Sequence, residues 1–186
     1  MLKILISFLL AIVASSALAA PPERFQAKLQ GGDAGGVAIP TNATGLAKFH
    51  VIDDGTAIEY SLKVAGIRNL LMAHIHVAVG PGPIADNEPV GPVVFWFVPT
   101  TPPPGSTITD RIQGDIASGL ILTNSQIAGP LAFDETDPEG TGVAGLLRAI
   151  REGRATVVVH TDDLDPNTPT GVAGDSRAGE LRGLIR

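Results

Sequence analysis

The chain contains no cysteine, which excludes disulfide bonds, zinc sites built on thiolates and a lipid anchor attached to a cysteine. Aromatic residues are few, and none interleave with lysine or arginine to form a stacking platform for nucleic acid. The formal net charge of -6 argues against nucleic acid and anionic membranes as partners. P-loop, dinucleotide-binding and nucleophile-elbow motifs are also absent. These absences favour a binding module over an enzyme.

Long apolar runs are missing as well, apart from one near the start of the chain. Residues 1–19 combine Lys3, an apolar stretch over residues 4–13 and the sequence Ala17-Leu18-Ala19. This pattern predicts a secretory signal that is cleaved after Ala19. The stretch is shorter than the roughly 20 residues of a membrane-spanning helix. We therefore expect residues 20–186 to form one domain without a membrane span, either secreted or periplasmic.

The 22 glycines and 15 prolines lie mostly between short apolar runs, which is typical of an all-β domain. The sequence predicts an antiparallel β-sandwich or barrel-like domain with one short helix at Val143–Glu152, where apolar residues recur at helical spacing. Residues 114–127 fit either a strand or a short helix. The strand at Pro92–Val98 is apolar on both faces and is expected to be central. The predicted strands span residues 25–29, 46–52, 58–64, 70–79, 92–98 and 155–161.

Histidines stand out against this apolar background. His74 and His76 lie two residues apart on one predicted strand, so their side chains share a face, together with Met72. His160 ends the apolar strand that begins at Ala155. Imidazole is the commonest metal ligand, and three imidazoles around one point suit copper or zinc. The sequence therefore predicts a metal site at His74, His76 and His160.

Two further side chains are candidate ligands. Glu180 could be a fourth ligand, or it could form a salt bridge with Arg177 or Arg182. Met72 would add a thioether that favours copper, or it could belong to the core. The alternative for the histidines themselves is a structural role in an adhesion or interaction module.

Acidic loops leave calcium as a weaker candidate cofactor. Residues 163–167 place oxygen ligands at alternate positions, as calcium loops do. However, Thr168 stands where such loops have glycine, and no glutamate follows at the bidentate position.

Five motifs occur in order along the chain: Ala73-His74-Ile75-His76, Gly91-Pro92-Val93-Val94, the helix segment 147–153, His160-Thr161 and Gly179-Glu180-Leu181-Arg182-Gly183. Together they resemble the CHRD domain, the module found in chordin and in many bacterial exported proteins. The chain departs from that family's pattern in loops: Val77 stands where glycine is common, and the loops at residues 80–91 and 162–178 are longer than usual.

The resemblance implies a β-sandwich-like extracellular module that binds a partner not named by the sequence. There is also a looser similarity to copper-zinc superoxide dismutase, which is a β-sandwich with a His-x-His strand on its copper. Because four histidines could furnish at most one metal site, and no disulfide is available, dismutase activity is the less favoured alternative. We expect an exported binding module with a histidine metal site.

Overall fold

A computed structural model describes residues 22–98, 112–167 and 170–186. The predicted signal at residues 1–19 and the position Thr168 lie outside the described residues. Within them, the chain forms eight strands and a single α-helix, α1, at Gly142–Arg151. No helix in this part of the chain has the length and apolar character needed to cross a membrane. The strands are β1 (Arg24–Gly31), β2 (Thr44–Ile52), β3 (Ala57–Ile67), β4 (Leu70–Val77), β5 (Val93–Val98), β6 (Ile112–Leu122), β7 (Ala155–Thr161) and β8 (Leu181–Leu184).

The strands pair antiparallel in the order β5-β4-β7-β8-β1-β2-β3-β6. β1 joins the two halves, because it pairs with β2 along residues 24–29 and with β8 at Gln30 and Gly31. The sheet curls until β3 faces β5 across the core, where the Tyr60 ring lies 5.1 Å from the Phe95 ring and 5.4 Å from the Phe97 ring, centroid to centroid. The predicted all-β, antiparallel, barrel-like fold with one helix is confirmed.

Alternation in the sequence explains which side chains enter this core. Along β3, Ile58, Tyr60, Leu62 and Val64 are buried, while Glu59 and Lys63 are exposed. The apolar face of α1 is buried in the same cluster. Its ends match the predicted helix to within one residue, and Gly153 follows it with a positive φ of 70°, as expected for a C-terminal stop.

The structure differs from the sequence-based expectation at β5 and β8, and it resolves the ambiguity at β6. β5 lies at one end of the strand order and not in the centre. It is apolar on both faces because Phe95 and Phe97 enter the core while Trp96 packs against His74 on the opposite face. β6 resolves residues 114–127 as a strand that ends at Leu122 and a 3-10 turn at Asn124–Gln126. β8 is an additional strand of four residues, too short for its alternation to be recognised.

The contact between Tyr60 and the two β5 phenylalanines should dominate the stability of the curled sheet. Phe97 is 2% exposed, so Phe97→Ala should lower the free energy of unfolding by about 3–5 kcal/mol. Phe133 is 43% exposed, so Phe133→Ala is a control of the same chemistry with a much smaller expected loss. Urea denaturation monitored by circular dichroism measures both, and equal losses would contradict this packing.

Candidate metal centre

The ladder between β4 and β7 brings the three histidines onto one face of the sheet. In its register Met72 lies opposite His160, His74 opposite Val158 and His76 opposite Thr156. Directly opposed residues in an antiparallel pair share a face, and so do residues two apart on one strand. His160 therefore points to the side that already carries His74 and His76, while Ile75 on the other side enters the core.

The three imidazoles form a compact group with His74 in the middle. The His74 ring centroid lies 4.4 Å from that of His160 and 4.6 Å from that of His76, and the two outer rings are 6.2 Å apart. Each residue offers one ring nitrogen, and these three nitrogens all lie within 4.8 Å of one another. The residues are only 3%, 7% and 4% exposed for His74, His76 and His160. We call these three side chains the histidine cluster.

Backbone carbonyls orient the two outer rings. Nδ1 of His76 donates to the carbonyl oxygen of Gly91, and Nδ1 of His160 donates to that of Arg177, each with an N···O distance of 2.7 Å. A carbonyl oxygen can only accept, so both Nδ1 atoms carry the proton in these hydrogen bonds. Nε2 of each neutral ring is then a free lone pair. Metal-binding histidines are commonly oriented in this way by a carbonyl or carboxylate.

The nitrogens left over have no hydrogen-bond partner in the described part of the chain. They are Nδ1 of His74 and Nε2 of His76 and His160, and all three are buried. An unsatisfied buried polar atom costs about 1–3 kcal/mol, so three together make a costly arrangement for a purely structural role. A shared metal ion would satisfy all three. Metal–nitrogen distances of about 2.0–2.1 Å require the nitrogens to be roughly 3.4 Å apart, which is inside the range that the cluster already occupies.

The surroundings hold the cluster in the neutral form. Burial, together with the neighbouring His160 and His76, lowers the pKa of His74 to about 2. Burial also lowers the pKa of His160 to about 4, although its bond to the Arg177 carbonyl acts in the opposite direction. The pKa of His76 is lowered by burial and by the charge of Arg182, against the effect of the Gly91 carbonyl. Neutral imidazole is the form that binds metal, so no proton would have to leave these rings before an ion could bind.

Glu180 and Met72 have different positions relative to the cluster. Glu180 is 1% exposed, but its carboxylate accepts hydrogen bonds from the Thr41 hydroxyl, the Thr161 hydroxyl and the backbone N–H of Gly174. It belongs to a turn-stabilising network rather than to the group of three nitrogens. Met72 is half-buried and lies directly opposite His160 in the ladder.

The two arginines considered as partners of Glu180 have other contacts. Arg177 pairs with Asp162, with 2.5 Å between Nε and Oδ2. Arg182 donates through one terminal nitrogen to the backbone oxygens of Asp33 and Glu88. The carboxylate of Glu180 is therefore held by hydroxyl and amide groups, with no ion pair to either arginine.

In the acidic loop that is a candidate for calcium, the side-chain carboxylates accept hydrogen bonds from within the loop itself. Asp163 accepts from the N–H of Asp165, and Asp165 accepts from Asn167. Asp163 also lies with Asp162 and Asp175 in a second group whose carboxylate oxygens are within 4.8 Å of one another. Because Asp162 is already paired with Arg177, this group is less suited to a cation than the histidine cluster.

Three residues near the cluster were not selected from the sequence. Trp96 packs edge-on against His74 with 5.9 Å between ring centroids. Thr156, opposite His76, is buried, and its hydroxyl has no partner in the described residues. Arg182 is 5% exposed and its charge acts on His76. Thr156 could have been identified from its spacing of four from His160, which places both on one face of β7.

The fold and the cluster together define a curled antiparallel β-module with three buried histidines on the outer face of its sheet. The chain belongs to the CHRD family, because the sequence profile of the CHRD domain matches residues 25–167. The match covers the first four motifs noted above and ends before the closing Gly179–Gly183 motif, which contributes to β8. Searches of curated proteins and of solved structures found no significant match.

The depressed histidine pKa values predict an acid-sensitive fold in the metal-free protein. Below about pH 6.5, His74 and His160 bind protons in the unfolded chain but stay neutral in the folded cluster. The free energy of unfolding should therefore fall as the pH drops from 6.5 towards 4. Urea midpoints measured with a chelator at pH 7.5 and 5.5 test this. The difference between the two urea midpoints should be smaller in His74→Leu, because this variant lacks one of the histidines that bind a proton only in the unfolded chain. A wild-type midpoint that is unchanged or higher at pH 5.5 would refute the prediction.

Proposed function

We propose that this protein is an exported metal-binding module that holds one divalent copper or zinc ion in the histidine cluster. The observation that carries the proposal is the set of three buried ring nitrogens, one each from His74, His76 and His160, without hydrogen-bond partners in the described residues. In a purely structural role each buried nitrogen would be expected to have a partner, either a protein group or an ordered water molecule. Membership of the CHRD family supports a binding or interaction module in general and leaves the ligand to be identified from the site.

The ligand set also indicates which metals to test. Three neutral imidazoles with a further open position suit both zinc and copper(II). At sites of nitrogen ligands copper(II) generally binds more tightly than zinc(II). Met72, whose backbone lies opposite that of His160, carries a thioether on the same face of the sheet, and thioether ligands favour copper over zinc. We therefore expect both ions to bind and copper(II) to bind more tightly.

Isothermal titration of the untagged, chelator-treated protein with copper(II) and zinc(II) tests the proposal. The wild type should bind one equivalent. His74→Ala, His76→Ala and His160→Ala should each weaken binding beyond the roughly 10–100-fold that is lost when only an orienting partner is removed. His50→Ala is the matched control, since His50 lies on β2 beside Glu59 and outside the cluster. Binding that is equally strong in all four variants would overturn the proposed site.

Metal should also stabilise the fold, because the ligands come from two strands that separate on unfolding. At a free metal concentration of 100 times Kd, the wild type should gain about 2.7 kcal/mol of stability. The variants that lack a cluster histidine should gain much less at the same concentration. Differential scanning fluorimetry with and without metal measures this, and an equal increase in Tm for His160→Ala would assign the metal to another site.

Export is the second part of the proposal, and it is supported by the pattern in residues 1–19. Lys3, the apolar stretch and Ala17-Leu18-Ala19 fit a cleaved secretory signal. A chain without cysteine that is exported must be held together by its core, since disulfides are not available. Intact-mass analysis of protein recovered from the periplasm or medium should give a chain that starts at Ala20. A cytoplasmic product that retains Met1–Ala19 would exclude export.

A further inference from the structure

Five buried polar atoms without partners in the described residues lie on the same outer face of β4, β7 and β8. Three are the free nitrogens of the histidine cluster; the other two are the Thr156 hydroxyl and one terminal nitrogen of Arg182, Nη2. The register explains why they share a face. Thr156 lies opposite His76, and Arg182 lies opposite Val158, which in turn lies opposite His74. Two unused hydrogen-bond donors therefore share a face of the sheet with three unused ligand nitrogens.

Arg182 is a buried positive charge that forms no ion pair within residues 22–98, 112–167 and 170–186. Its Nη1 donates to the backbone oxygens of Asp33 and Glu88 at 3.1 and 3.0 Å, which fixes the guanidinium but does not neutralise it. The carboxylates whose charge acts on Arg182 are those of Asp33 and Asp86, and neither forms a salt bridge with it. Burying an unpaired charge is costly, so this environment favours an anion beside Arg182.

A bound metal would increase that demand. The three imidazole ligands are neutral, so a divalent ion would leave its full charge in a buried site beside the charge of Arg182. Asp33, whose carboxylate acts electrostatically on His160, already accepts a hydrogen bond from the N–H of Val37. Glu180, also on this side, keeps its negative charge but is held in place by three hydrogen bonds from Thr41, Thr161 and Gly174. An additional anion is the simplest source of compensating charge.

A groove of about 640 Å³ on the outside of β1 and β8 gives such an anion a route. Lys28, Arg182 and Arg186 line it, with Asp86 as the opposing charge, so its wall is positive in a chain whose net charge is -6. Positively lined clefts concentrate anions. Arg182 forms part of the wall, and its side chain lies on the sheet face that carries His74 and His76, since it is opposite Val158 and Val158 is opposite His74.

We infer that the metal site includes a specific position for a small monovalent anion, such as a carboxylate, which coordinates the metal and accepts hydrogen bonds from Arg182 and Thr156. This inference rests on the proposed metal site. The anion completes the coordination left open by the three histidines and neutralises part of the charge of the metal and the arginine. Arg182 and Thr156 are then positioning residues for the anion and not metal ligands.

The test uses copper(II)-loaded protein and azide as the probe anion. After one equivalent of copper(II) has been bound and its affinity measured, azide is titrated and the azide-to-copper charge-transfer band is followed. Arg182→Met should weaken azide binding by about tenfold or more, because it removes a charge-assisted hydrogen bond. The same substitution should leave copper(II) affinity unchanged or raise it, because it removes a like charge. Arg182→Lys should retain part of the azide affinity.

Two further variants serve as controls for the effect of Arg182 on azide binding. Thr156→Val preserves the shape of the side chain and should weaken azide binding several-fold even if the arginine variants fold poorly. Arg151→Met removes an exposed charge on α1 and should leave azide binding unchanged. If copper binds but azide affinity is the same in wild type, Arg182→Met and Thr156→Val, the anion position is overturned while the metal site stands. If the first titration shows no copper binding, the metal site fails and the anion position fails with it.

Discussion

The antiparallel ladder between β4 and β7 is the interaction on which the site depends. His76 and His160 are far apart in the sequence, and only the register of this ladder places them on one face. A shift of one residue would turn His160 into the core and Val159 out of it. The apolar residues that alternate with the histidines prevent that shift, because Ala73, Ile75 and Val159 must all be buried on the inner face. The hydrophobic core thus fixes the geometry of the polar cluster outside it.

Much of the fold could be predicted because alternation and turn residues are local signals. β3 and α1 follow directly from their periodicity, and the two histidines of β4 are recognisable as neighbours from their spacing alone. β8 was not predicted because four residues that include Arg182 and Gly183 carry no clear pattern. β6 was ambiguous because register shifts along its pairing with β3 interrupt the alternation. The position of β5 at the end of the sheet could not be predicted, since the same apolar sequence suits either position.

From the sequence, only those site residues that lie on recognisable strands could be predicted. His74, His76 and His160 lie on regular strands, so period and motif were enough to select them. Glu180 lies outside any regular strand, and its preference for Thr41, Thr161 and Gly174 depends on contacts that no local pattern encodes. From the sequence, Arg182 is a candidate only for an ion pair with that glutamate. Its exposed fraction of 5%, which makes its charge significant for the cluster, is a property of the folded loops that cover it.

The orientation of the cluster comes from main-chain oxygens in two loops, those of Gly91 and Arg177. A carbonyl oxygen is present whatever side chain the residue carries, so these loops can accumulate substitutions while still holding the rings in place. The constraint falls on backbone shape instead. Gly91 has a φ of +79°, and a Cβ there would lie 2.4 Å from the oxygen of Val77. Over evolutionary time, the side chains of these two loops can diversify, while the path of their backbone, and with it the orientation of the two rings, is kept.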